Sequence, residues 1–88
     1  METKIVAEKS IRRNLYRVLR KTGVRKDNIC LTASFIEDLN FDKIDWTIFT
    51  YYLERIFNIA VEDEELNKFD NINDTLLYLR TELVYLNN

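Results

Sequence analysis

Histidine and proline are absent from this 88-residue chain, and glycine and cysteine occur once each. Without histidine the commonest general base is missing, so triad chemistry and most acid–base catalysis lose their usual participant. A lone Cys30 cannot form an internal disulfide, and with no histidine or second cysteine beside it a zinc site has no ligand set. Nor is there a base to activate Cys30 as a nucleophile, so it reads as a semi-buried loop residue. With no catalytic constellation to assemble, the chain is not expected to be an enzyme. Apolar runs are only a few residues long, far short of the roughly 20 that cross a bilayer. No charged start followed by an apolar signal core opens the sequence. The expected compartment is the cytoplasm, without a membrane span.

What is present is an ordinary globular composition, 47% apolar and 32% charged, in a chain long enough for one modest core. Charge is distributed unevenly. Residues 1–30 hold nine Lys/Arg against three Asp/Glu, and residues 31–88 hold four against twelve, which sums to the net charge of −2. The basic residues Arg12, Arg13, Arg17, Arg20, Lys21, Arg25 and Lys26 raise a nucleic-acid reading. Helical spacing weakens it: Arg13, Arg17 and Arg20 fall on one side while Ile11, Leu15, Val18 and Leu19 fall on another, the pattern of an amphipathic helix with a solvated face. No helix-turn-helix signature accompanies the charges, and nucleic acid is not expected as a partner.

The lack of proline leaves helices uninterrupted, and the one strong punctuation mark is Gly23. The spacing predicts a first helix from near Lys4 to about Lys21, with Gly23 as its C-terminal cap. Residues 1–9 read as an N-terminal extension that lengthens this helix or frays, and residues 10–88 as the domain proper. From Val24 to Phe41 no helical period is sustained, and Ile29, Phe35, Ile36 and Leu39 are apolar enough to pin a long loop to the core. Asp42 is a good N-cap for a second helix, with Asp45 three residues on. This helix carries two stripes. Trp46, Phe49, Leu53 and Phe57, with Thr50 among them, make one; Ile44, Ile48 and Tyr51, with Arg55, make the other, which is either wide burial or an exposed binding surface. A short third helix is predicted at about Asp63 to Asn67. A fourth is capped by Asn71 with Asp74 in third position and carries Ile72, Leu76, Leu79, Leu83 and Leu86 inward. The expected fold is all-α: a small bundle of three long helices and one short one, with a long loop between the first two. Leu77, Val84 and Tyr85 are left over on the fourth helix, as a dimer seam or as surface absorbed by an extension of the first, so the expected state is a monomer or weak dimer.

The order of elements, with Thr22-Gly23-Val24, Ala33-Ser34-Phe35-Ile36-Glu37-Asp38-Leu39, Leu53-Glu54, Phe57, Asp63-Glu64-Glu65 and Tyr78, resembles the acyl carrier protein family. The likeness runs without a gap from Thr22 to Tyr78, about two thirds of the chain. The first helix matches only in its amphipathic character. In that family the second helix begins Asp-Ser-Leu-Asp, and the serine carries the phosphopantetheine arm whose thiol holds an acyl group. Here the corresponding run is Asp42-Lys43-Ile44-Asp45. Lys43 has no hydroxyl, and an amine with a pKa of about 10.4 is protonated and poorly nucleophilic at neutral pH. Ser34 lies well before the helix, Thr47 a full turn inside it and Ser10 in the first helix, so none stands at the attachment position.

The resemblance therefore implies an acyl-carrier-like protein that carries no 4'-phosphopantetheine. Its expected role is a non-covalent interaction or scaffolding module for fatty-acid, polyketide or lipid pathway enzymes, docking through Ile44, Trp46, Ile48, Tyr51 and Arg55. The alternative is a working acyl carrier in which Lys43 is a local variant. Two further departures bear on this. Family members keep an acidic outer face on the second helix, whereas Ile48 and Arg55 stand at matching positions here, favouring apolar contact over electrostatic steering. Trp46, Tyr52 and Phe69 stand where the family has smaller residues around its acyl cavity, and rings of that size fill space.

Overall fold

Leu19 and Val24 close the first helix, and the way they do so explains the only glycine. In the computed structural model, which describes the backbone of residues 8–86 and the side chains of residues 8–83, helix α1 spans Glu8–Thr22. The Gly23 N–H bonds the Arg20 and Leu19 carbonyls and the Val24 N–H reaches back to Leu19 at 3.0 Å, a Schellman closure. Gly23 sits at φ 112°, a region that residues with a Cβ rarely adopt. Ile11, Leu15, Val18 and Leu19 are buried, as their spacing predicts. The expected start near Lys4 lies outside the described residues. Glu8 and Lys9, read as part of an extension, are helical, and the Glu8 carboxylate takes Arg12 at 3.1 Å and Arg80 at 2.9 Å. These exposed ion pairs contribute little to stability, but they join α1 to the last helix.

The long connection contains only a 3-10 turn at Lys26–Asn28 and is held down by backbone bonds to a distant segment. Phe35 N–H donates to the Asp70 carbonyl (3.0 Å), Ile72 N–H to Ala33 (3.1 Å) and Asn73 N–H to Leu31 (2.9 Å). Ser34 and Asn71 thereby form an isolated antiparallel bridge, and no strand occurs among the described residues. Phe35 is fully buried, its ring 4.9–5.3 Å from those of Phe41, Trp46 and Phe49. Ile29 and Leu39 are half-buried against the core, as expected. Ile36 is not an anchor: the chain turns at Ser34–Leu39, with the Asp38 and Leu39 N–H groups both on the Ser34 carbonyl, and Phe35 inward leaves Ile36 outward, 59% exposed. Cys30 is likewise exposed rather than semi-buried. The turn that bonds Ala33 N–H to the Cys30 carbonyl sends Ala33 into the core and Cys30 outside.

Helix α2 spans Lys43–Phe57, α3 spans Asp63–Leu66 and α4 spans Ile72–Leu86. Helix α3 stops one residue short of the expected Asn67, which caps it by donating to the Asp63 carbonyl. At the start of α4, Asn71 Oδ1 accepts from Asp74 N–H (2.9 Å) and Asp74 Oδ2 accepts from Asn71 N–H (3.1 Å), completing the reciprocal cap read from the sequence. Asn71→Ala is expected to cost about 1 kcal/mol and to lower the thermal midpoint by about 4–8 °C; an unchanged melting curve would remove this cap from the account. Ile72, Leu76, Leu79 and Leu83 face inward, while Leu86 lies outside the described side chains. Of the residues read as a dimer seam, Leu77 is exposed and Val84 and Tyr85 lie outside the described side chains. Helix α1 packs against both α2 and α4, giving the all-α four-helix bundle expected.

Candidate functional site: the start of the second helix

Asp42 is extended (φ −110°, ψ −172°), and the chain turns helical at Lys43. Asp42 Oδ1 accepts from the Asp45 N–H at 2.9 Å while Asp45 Oδ2 accepts from the Asp42 N–H at 3.0 Å. Two of the free donors at the helix start are thus satisfied by the chain's own carboxylates. The Asp45 backbone N–H holds the Asp42 carboxyl below its ordinary value of 3.8, against a smaller opposing effect of desolvation. A lowered carboxyl contributes stability that is present above the unfolded-state value and is lost as pH falls through the folded one. Acidification below about pH 3.8 is therefore expected to fray the first turn of α2, read as loss of protection at the Asp45 amide, and Asp42→Ala should abolish that pH dependence.

Lys43 occupies the first helical position, exposed, with its side chain outside the cap. The nearest hydroxyl along the helix, Thr47 Oγ1, donates to the Lys43 carbonyl at 3.0 Å, a bond within the helix wall. Ser34 Oγ accepts from the Glu37 N–H at 3.1 Å in the loop. No hydroxyl stands at the first helical position, so the residues present do not fit a phosphodiester attached there.

The five residues expected to meet a partner are divided by the structure. Ile44, Ile48, Tyr51 and Arg55 follow one line down α2, at the i, i+4, i+7 and i+11 spacing of one helix side. Ile44 is 67% and Tyr51 53% exposed, Arg55 is exposed and Ile48 half-buried. The Arg55 guanidinium lies over the Tyr51 ring at 5.6 Å, and Tyr51 meets Tyr52 edge-on at 5.1 Å. Among the described residues no segment covers Ile44 or Tyr51, so the second stripe is exposed at these residues and at Arg55 and half-buried at Ile48. Trp46 departs from it. Its ring joins Phe35, Phe41 and Phe49 at 4.9, 5.1 and 5.8 Å, and it belongs mainly to the core.

Trp46 nevertheless shows an edge to a cleft between α2, α3 and the loop, about 620 Å³ in volume, with Lys43, Ile36, Leu66 and Phe69 among its walls. A second cleft of about 410 Å³ shares Lys43, Trp46, Asp63 and Leu66 and continues along Thr47, Thr50 and Tyr51. Ile36 is the site residue that sequence reasoning missed; its signal was the turn chemistry of Ser34 and Asp38, whose side chains both bond loop N–H groups. Of the bulky residues expected to fill space, Phe69 is buried and packs on Tyr78 at 5.5 Å, while Trp46 and Tyr52 are half-buried against the core.

No family model matches the chain. Individual curated proteins do. Over 63 residues it is 35% identical to an acyl carrier protein of Phytoplasma mali (strain AT), covering 72% of this chain and 75% of that protein. Over 62 residues it is 34% identical to an acyl carrier protein of Akkermansia muciniphila, covering 70% and 78% respectively. With the four-helix order, the long pinned loop and the capped second helix in place, these likenesses settle the relationship: the chain belongs to the acyl carrier protein family.

Proposed function

We propose that this member of the family acts in acyl or lipid biosynthesis without carrying a phosphopantetheine arm, as a docking or scaffolding module for pathway enzymes in the cytoplasm. The observation that carries the proposal is Lys43 at the exposed first position of α2, with no hydroxyl at that position and the closest one along the helix engaged with the Lys43 carbonyl. Lysine at neutral pH is a charged amine, so the position supplies a cation to a partner instead of an attachment point. The docking strip is Ile44, Tyr51 and Arg55, flanked by half-buried Ile48, with Trp46 reached only through the cleft. An apolar strip with an arginine stacked on a tyrosine is a composition found at binding hot spots.

The test is affinity for a fatty-acid-pathway enzyme of the same organism, measured with Ile44→Asp and Ile48→Asp. Both are expected to weaken binding at least about tenfold, or roughly 1.4 kcal/mol. Ile44→Asp should leave the melting temperature unchanged because its side chain is already in water, while Ile48→Asp carries some folding cost. Unchanged affinity in both variants would eliminate this surface. A second reading, a working acyl carrier with Lys43 as a local variant, draws support from the intact Asp42–Asp45 cap, which is independent of the Lys43 side chain.

A further inference from the structure

Six large apolar side chains are exposed among the described residues, and they divide into two groups. Ile36, Ile44 and Tyr51 lie around α2 and the adjoining clefts. The other three, Tyr16, Leu31 and Leu77, belong to α1, the long loop and α4. Between these elements lies an apolar notch of about 200 Å³ lined by Leu15, Tyr16, Leu19, Ile29, Leu31 and Leu76, with Arg12 at its edge. Arg80 stands one turn from Leu77 on α4 and shares the Glu8 carboxylate with Arg12 across the α1–α4 junction. Next to Tyr16 on α1, Arg13, Arg17 and Arg20 form an exposed ridge, and none of the three makes an ion pair among the described residues.

From this notch and its cationic border we infer a second docking surface on the α1–α4 face, for an acidic segment of a partner protein that inserts one large apolar side chain beside its carboxylates. Size selects the anchor. A cavity of roughly 150 Å³ accommodates a benzene-sized group, so about 200 Å³ takes one aromatic or leucine-sized side chain and not a long hydrocarbon. Charge selects its neighbours. Residues 8–30 hold eight Lys/Arg and two Asp/Glu, whereas residues 31–88 hold four and twelve. Six of those eight cations lie on α1, a helix roughly 22 Å long for its 15 residues, so the ridge matches a short segment in length. A short acidic segment satisfies both limits. Opposite charges at such a rim raise the association rate and make binding salt-dependent. The inference stands on residues separate from the α2 strip and does not depend on the reading given for it.

Two synthetic 15-residue peptides test it against the full chain labelled with nitrogen-15. One carries a central phenylalanine flanked by glutamates, and in the other each glutamate is lysine. The acidic peptide is expected to shift amide signals at Tyr16, Leu19, Cys30, Leu31 and Leu76, with α2 unaffected. Arg13→Glu with Arg17→Glu should weaken it at least tenfold, as should the uncharged Leu31→Asn; these residues are exposed, and unchanged melting curves show the fold intact. Replacing the peptide's phenylalanine by alanine should weaken it comparably. Equal binding of both peptides, shifts confined to α2, or no shift at all would overturn the assignment. So would tighter binding of a single-stranded 15-mer of thymidine or of phosphatidylglycerol vesicles at the same arginines, which would make the ridge a nucleic-acid or membrane surface.

Discussion

Phe35→Ala is expected to destabilise the protein by about 3–5 kcal/mol, the usual cost of emptying a fully buried phenylalanine site. Phe35 is the residue on which Phe41, Trp46 and Phe49 converge, with ring centroids 5.1, 4.9 and 5.3 Å away. It also fixes the loop, through its N–H to Asp70 and through its carbonyl, which accepts from the Phe41 N–H at 2.8 Å. Removing the ring leaves a void in the layer that orients the start of α2. For a domain whose whole stability is about 5–15 kcal/mol, the thermal midpoint should fall by more than about 12 °C, taking about 4 °C per kcal/mol. Ile36→Ala next door removes an exposed side chain and should change stability by no more than about 0.5 kcal/mol. Similar melting curves for the two variants would mean that the loop is not held by Phe35.

Lys43→Ser is expected to convert the chain from a form that coenzyme A and a phosphopantetheinyl transferase leave unaltered to one they modify. The change places a hydroxyl at the exposed first position of α2. It leaves untouched the reciprocal Asp42–Asp45 bonds, which use only those two residues' carboxylates and N–H groups. The substitution also removes one positive charge from the helix start, beside the carboxylates of Asp42 and Asp45. Intact-mass spectrometry after incubation reads the outcome as all or none. A folded Lys43→Ser protein that gains no mass would mean that the missing hydroxyl is not what keeps the arm off, and that the surface around it has diverged as well. Thr47→Ser serves as the control, because a hydroxyl one turn inside α2, bonded to the Lys43 carbonyl, should stay unmodified.

Much of this was legible in the sequence because side-chain period and capping chemistry are local. Ile11, Leu15, Val18 and Leu19 recur at helical spacing and are buried, Gly23 ends its helix with a positive φ, and Asp42 and Asn71 cap as their neighbours at third position imply. What the sequence did not disclose depends on non-local partners. The stitching of Ala33 and Phe35 to residues 70–72 is made by backbone groups, which carry no residue signature. That stitching and the tight turn at Ser34 decide that Phe35 points inward and Ile36 outward, an apolar pair whose identities alone do not rank them. Trp46 was ambiguous for the same reason. Its place on α2 allows both stripe and cleft, and only Phe35 and Phe41, brought in by the loop, draw it into the core. The second apolar line on α2 was readable, but its exposure depended on what other segments cover.

The chain's reading as a family member that docks without carrying rests on what is attached to it where it works. The most direct measurement is the intact mass of the unaltered protein isolated from the cells that make it, followed by fragmentation across residues 42–47. The mass of the bare chain, with every fragment containing Lys43 unmodified, is the predicted result. A phosphopantetheine mass on any residue of the protein would contradict it.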